Sequence, residues 1–348
     1  MKFLVTGGAG YLGSVLVPKL LARGHQVRVI DIGYFGLGHL KGLQPQVELI
    51  RGDMRRVRGD RAFARDLLAG CDAVVHLAAI SNDPSAELHP ELTHQVNFET
   101  TAVFAEEAKN KRMRFLFSSS CSVYGEADGL LTEDGAVNPI TVYAVSKVKS
   151  DQMLGDLADA NWAPIILRNG TLFGYSPRMR FDLVVNIFSL YSVLKNKITV
   201  FGDGMQWRPF LHVGDCARAF IHFAENPPAA GQHVFNISHE NMRVVDLIAV
   251  FQAINPRLEA EFLPTENPDN RDYAVDNRRM GQAGFQPLTS VRVGAEQLVD
   301  AIVSGLIPDP ESIYYRNAKW LKELSRFDER EHADALNLME TLSGMRPR

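Results

Sequence analysis

Apolar residues along the chain fall in short runs, each ended abruptly by Gly, Asp or Ser. Phe3, Leu4 and Val5 form the first and stop at Thr6-Gly7-Gly8. Gln26-Val27-Arg28-Val29-Ile30 ends at Asp31, and Val47-Glu48-Leu49-Ile50 precedes Gly52-Asp53-Met54. Ala73-Val74-Val75-His76-Leu77, Arg114-Phe115-Leu116-Phe117 and Ile165-Ile166-Leu167-Arg168 follow, with stretches of helical length between most of them. Such brief, weakly alternating runs read as strands buried on both faces. Strands alternating with helices predict an α/β fold with a doubly wound parallel sheet. Gly129 to Asn138 reads as a loop, and Ile198 to Gly204 as a strand and turn. Trp320 to Leu342, with apolar residues at mixed helical spacing among many charges, predicts an amphipathic tail helix.

The first strand carries the first chemical signal. Gly7, Gly10 and Gly13 stand at G-x-x-G-x-x-G spacing, with a helix expected from about Gly10. Missing side chains there permit a tight turn, close backbone approach to a pyrophosphate and tight packing of helix on strand. The free N–H groups of the helix start face an anion. A glycine trio by itself is weak, but Asp31 ends the second strand about 20 residues on, as the dinucleotide fingerprint requires. Its carboxylate can accept from a ribose 2′-hydroxyl and repels a 2′-phosphate, which favours NAD over NADP. Asp53, at the end of the third strand, can hold an adenine amino group or be a plain surface acid. Ala78 and Ala79 are small enough for a dinucleotide to lie against the sheet edge.

A second signal is Tyr143-Ala144-Val145-Ser146-Lys147. Residues four apart share a helix face, so phenol and ammonium can enter one cleft. An adjacent cation together with an oxidised nicotinamide stabilises a phenolate, which makes Tyr143 a usable base near neutrality. Ser120, after the fifth strand, can hydrogen-bond the same substrate oxygen.

Composition narrows the setting. With 348 residues, 46% hydrophobic, 22% charged and a net charge of −4, the chain has the profile of a soluble globular protein and no nucleic-acid surface. Its length suits a large domain with a smaller one. Cys71, Cys121 and Cys216 lack metal-ligand spacing, and their odd number fits a reducing compartment, so no metal site and a cytoplasmic location are expected. No secretory signal and no membrane-spanning run are read.

Taken in order, Thr6 to Gly13, Asp31, Gly52-Asp53-Met54, His76-Leu77-Ala78-Ala79, Asn97, Ser118-Ser119-Ser120, and Tyr143 with Lys147 resemble the extended short-chain dehydrogenase/reductase family. Within it the chain looks like the nucleotide-sugar epimerases and dehydratases, of the UDP-glucose 4-epimerase type. The resemblance implies NAD held by Gly7, Gly10, Tyr11, Leu12, Gly13, Asp31, Asp53, Met54, Leu77, Ala78, Ala79, Asn97, Ser118, Tyr143 and Lys147. It implies catalysis by Ser120, Tyr143 and Lys147. A nucleoside-diphosphate sugar is expected at Ser81, Ser120, Ser122, Thr171, Asn186, Arg208 and Arg271, the two arginines gripping its diphosphate. The expected domains are 1–170, Rossmann-type and NAD-binding with a return segment near 205–240, and a smaller substrate-binding domain of 171–204 and 241–348. A homodimer through the helices after Asn97 and around Tyr143 is also implied. Past Gly305 the resemblance thins.

Departures from the family pattern sort the reactions. Related 4,6-dehydratases carry an Asp-Glu pair where this chain has Cys121 and Ser122, so dehydration is not expected. Relatives epimerising beside a ketone place a Cys at the position of Ser122; Cys121 is one residue off and reads as a core thiol. Thr171 stands where an Asn commonly touches the sugar. A redox-neutral 4-epimerase is the leading reading. A 4-ketoreductase or dehydrogenase is the alternative, and a non-catalytic NAD-binding regulator a third, although such a protein is expected to lose Tyr143 or Lys147.

Overall fold

The structure, a computed structural model, describes residues 1–228, 233–265 and 271–325. Its strands are β1 (Lys2–Thr6), β2 (Gln26–Asp31), β3 (Val47–Arg51), β4 (Ala73–His76), β5 (Arg114–Ser120), β6 (Glu126–Leu131), β7 (Ile165–Asn169), β8 (Thr171–Phe173), β9 (Lys197–Phe201), β10 (Trp207–His212), β11 (Val234–Ile237), β12 (Glu240–Arg243), β13 (Glu259–Leu263) and β14 (Asp272–Val275). Seven form one parallel sheet in the order β11-β7-β5-β4-β1-β2-β3. Strand order reverses at β1, so the carboxyl ends of β1 and β4 open a crevice where ligands of such sheets bind.

The absence of strict alternation in the sequence has a direct cause. Phe3 and Val5 enter one hydrophobic layer, with Leu16, Leu20, Phe220 and Phe223, while Leu4 enters the other, with Ala64, Leu67, Phe104 and Phe115. Both sheet faces are covered, so both phases of the strand are apolar. A third cluster lies outside this sheet: Phe173, Val185, Phe188, Val200, Phe210, Leu247 and Phe251 pack strands β8, β9 and β10 with helices Val184–Leu194 and Asp246–Ile254.

Three local expectations change. The first helix begins at Gly13, not Gly10, because Gly10 N–H turns back onto the Gly7 carbonyl at 3.1 Å. The expected loop from Gly129 overlaps β6, which pairs in parallel with β14, a partner far away in the chain. The tail helix is seen as Asn317–Leu324, and the rest of the expected span, from 326 onward, lies outside the described residues. No helix among the described residues is long and apolar enough to cross a membrane.

Candidate active site

The glycine turn fixes the floor of a cavity of about 1000 Å³ at the carboxyl ends of the parallel strands. Gly7 has φ +69°, and a Cβ there would lie 2.7 Å from the Ala78 backbone; one on Gly13 would lie 2.6 Å from Gly7 and Gly8. Both glycines are therefore demanded by the protein's own backbone. Gly10 differs, since a Cβ would meet only the Gly7 carbonyl oxygen, at 3.3 Å. The amides of Tyr11 and Leu12, just before the helix, find no acceptor among the described residues. Open space over Gly10 beside unused donors at a helix start is a fit for a pyrophosphate.

Asp31 accepts from Ala9 N at 3.0 Å and Gly33 N at 2.8 Å, which ties the glycine turn to the end of β2. Each oxygen keeps a further lone pair for a ribose hydroxyl. Burial pushes this carboxyl above its ordinary pKa, opposed by those two N–H donors and by Arg178. Asp53 lines the cavity too, but its carboxylate caps Arg55 N and pairs with the Arg55 guanidinium, at 2.8 and 2.5 Å. Met54, Leu77, Ala78 and Ala79 complete this wall. Thr6 Oγ1 is hydrogen-bonded to His76 Nδ1 at 2.9 Å and accepts from Ala78 N at 3.3 Å. Burial, with Lys147 nearby, pushes His76 down to about 3, so the ring is neutral and acts as a strut.

Tyr143 and Lys147 lie on helix Val142–Leu157, started by Thr141, whose hydroxyl accepts from Ala144 N at 3.1 Å. Lys147 is 2% exposed; its Nζ donates to the Ser118 carbonyl at 2.7 Å and sits 4.7 Å from the Phe117 ring centre and 5.6 Å from that of Tyr143. Burial pushes it down to about 8, and Asp151 one turn on works against that shift. In the protein alone the Tyr143 phenol lies above its ordinary pKa. Burial is the largest cause and Asp83 adds to it, while Arg180 and a hydrogen bond with Ser120 pull the other way. Desolvation disfavours the phenolate more than Arg180 and the Ser120 hydrogen bond favour it.

Ser81, Ser118, Ser120, Ser122, Thr171, Arg208 and Arg271 reach the same cavity wall, as do Gly7, Gly10, Tyr11, Leu12, Gly13 and Asp31. Ser122 Oγ is buried without a partner among the described residues, so the site holds an unused hydroxyl beside Ser120. Arg208 Nη1 donates to the Trp207 carbonyl at 2.7 Å and to that of Arg271, while Arg271 pairs with Asp83. Two expected contacts are not brought to the wall. Asn97 is spent on the loop after β4, accepting from Ile80 N at 2.8 Å and donating to Ile80 O and Ser146 Oγ. Asn186 is fully buried, accepting from Gly174 N and donating to Tyr11 Oη and Arg180 O. Cys121 packs in the core and donates to the Arg168 carbonyl at 3.1 Å.

The same wall holds residues given no site role from the sequence: Asn82, Asp83, Arg178, Arg180, Asp182, Tyr273 and Asn317. Asn82 has φ 74° and donates to Asp182 Oδ2 at 2.6 Å; Asp182 in turn takes both Arg180 Nε and Nη2, at 2.9 and 3.0 Å. An Asn directly before Asp-Pro was the one local sign of this strained turn.

Residues 3–238 match the family described as the NAD dependent epimerase/dehydratase family. The chain belongs to it. Among its members, this family protein is similar to an uncharacterized UDP-glucose epimerase, YtcB, of Bacillus subtilis, at 30% identity over 74% of this chain and 83% of the other. It is also 30% identical to UDP-glucuronic acid decarboxylase 1 of Arabidopsis thaliana, over 89% of this chain and 72% of that one. Among solved structures, a UDP-glucuronic acid 4-epimerase from Bacillus cereus, in complex with UDP-glucuronic acid and NAD, superposes with TM-score 0.75 at 26% identity, covering 87% of this chain and 99% of its own.

Proposed function

We propose that the chain is an NAD-dependent nucleotide-sugar 4-epimerase. The observation that carries this reading is the convergence of Ser120, Tyr143 and Lys147 on one cavity, between the glycine turn and the Arg208/Arg271 end. NAD, when bound, supplies reversible hydride transfer. Gly10, the Tyr11 and Leu12 amides and Asp31 are the residues to hold it, with the Asp31 charge turning away a 2′-phosphate.

The chain's own part is proton handling and orientation. Tyr143 removes the proton of the sugar's C4 hydroxyl and returns one to the same oxygen. Ser120 donates to that oxygen and sets its direction, and Lys147 supplies the positive charge that burial otherwise denies the phenolate. Arg208 and Arg271 grip the diphosphate, and the segments 171–204 and 241–348 are the substrate half of the molecule. No carboxyl group occupies position 121 or 122, which speaks for redox chemistry at C4 rather than elimination of water. The functional unit is a homodimer through the helices Thr100–Asn110 and Val142–Leu157, and the compartment is the cytosol.

A panel of UDP-, dTDP-, GDP- and CDP-sugars deuterated at C4 tests the reading, with products followed by NMR and mass spectrometry. Retained deuterium without net NADH is the expected result. Label lost to solvent, or stoichiometric NADH, overturns it, the latter in favour of a dehydrogenase.

A further inference from the structure

The end of the described chain is built into the dinucleotide side of the cavity. Residues Arg316 to Lys319 and Leu321 share the wall with Asp31, Tyr34 and Phe35. The attachment is specific. Trp320 Nε1 donates to the Tyr34 carbonyl at 2.6 Å, and Tyr314 Oη donates to the next carbonyl, that of Phe35. A Cβ on Gly36 would lie 3.0 Å from the Tyr314 hydroxyl, and its φ of +73° turns the loop to meet it. Two aromatic side chains thus hold consecutive carbonyls of the loop that follows Asp31.

Asn317, 4% exposed, joins three further pieces. Its Oδ1 accepts from Arg178 Nη2 at 2.5 Å, its Nδ2 donates to Ser81 Oγ at 3.2 Å, and its N–H donates to Asp182 at 3.3 Å. Arg178 lies 3.7 Å over the Phe35 ring; it is 2% exposed, its Nε lacks a partner, and no carboxylate among the described residues forms an ion pair with it. The carboxylates of Asp31 and Asp182 act on this guanidinium through space, which ties Asn317 and its partner electrostatically to the end of β2. Tyr315, packed on Phe181 with ring centres 5.8 Å apart, and Leu324 seat the segment.

We propose that Ser312 to Leu324 is a clamp over the dinucleotide site that must release the Tyr34-Phe35 loop before the cofactor can enter or leave, with Asn317 as its latch. The inference rests on the cofactor assignment above and deepens it. A 4-epimerase has no need to exchange its dinucleotide between turnovers, whereas a ketoreductase does, so a clamp fits the first. The family match ends at residue 238, well before this segment.

The full-length protein is loaded with radiolabelled NAD and chased with unlabelled NAD; rapid filtration gives the release rate, and titration gives Kd. Tyr314→Phe deletes one donor and keeps the ring, while Trp320→Phe deletes the other and leaves a smaller aromatic ring; a thermal melt verifies that both variants fold. Release is expected to quicken about fivefold in each and about 25-fold in the double variant, as for losing one ordinary hydrogen bond at a time. Asn317→Ala is expected to give at least a tenfold rise. Kd should move much less, because a barrier slows entry as well as exit. Unchanged release in folded variants overturns the clamp. So does faster release matched by an equal rise in Kd, which is the mark of a lost contact instead of a gate. A wild-type protein that binds no NAD overturns the cofactor reading, and the clamp with it.

Discussion

The two walls of the cavity are made in different ways. The amino-terminal wall, from Gly7 to Ala79, is mostly backbone: a turn forced by Gly7 and Gly13, unused amides at Tyr11 and Leu12, and one carboxylate, Asp31. The opposite wall is made of side chains from distant segments, with Arg180 and Asp182 before one helix, Arg208 on β10, Arg271 beside β14 and Asn317 at the end. Backbone sites tolerate few changes and recognise what every dinucleotide shares. Side-chain sites can be rebuilt one residue at a time, which is where members of one family can diverge in substrate.

The largest effect that tests this contrast is on the backbone wall. Gly13→Ala puts a Cβ 2.6 Å from backbone atoms that cannot yield, and it is expected to lower stability by about 3 kcal/mol or more, with NAD binding lost. Gly10→Ala should leave the melting temperature nearly unchanged while weakening NAD at least tenfold, since its Cβ fills ligand space. Calorimetry with NAD titration on both variants checks the pair; equal melting temperatures would break the distinction.

Next comes chemistry at the junction of the walls. Tyr143→Phe removes one hydroxyl, so fold and NAD affinity persist while turnover falls roughly 100-fold or more. A smaller effect is expected at the side-chain wall. Arg208→Ala and Arg271→Ala should each raise KM for the nucleotide sugar by roughly 10- to 100-fold, with NAD affinity held within about twofold. Parallel loss of both affinities would mean that the walls are not separable.

Lys147 gives a pH test with opposite signs in activity and stability. Its cation persists below about pH 8, so turnover that needs the cation should fall as pH rises through 8. For stability, the folded group titrates near 8 and the unfolded one near 10.5. Between these values the unfolded chain holds the extra proton, so the contribution of this group grows as pH rises across the window and is lost as pH falls through 8. Lys147→Met should abolish that rise in denaturant titrations at pH 8 and 10. The smallest effect expected is at Asp31→Asn, which should narrow the preference for NAD over NADP by about tenfold without reversing it, because the backbone contacts remain.

What the sequence determined by itself was set by local rules. Strands such as Gln26–Asp31 were legible because burial on two faces leaves a short apolar run, and the glycine turn because only Gly accepts φ +69° against the Ala78 backbone. Tyr143 with Lys147 was legible because helical spacing alone puts them on one face. Other features needed the folded chain. The β6–β14 pair joins segments far apart in sequence, so nothing local distinguishes Glu126–Leu131 from a loop. Asn97 and Asn186 face the interior because Ile80 and Gly174 offer backbone groups there, which spacing cannot reveal. The sign of the shift at Tyr143 was decided by desolvation from all sides, a sum over the whole site. Asn317 gained its place only because tertiary packing set it against Arg178, Ser81 and Asp182, three groups that share no local pattern with it.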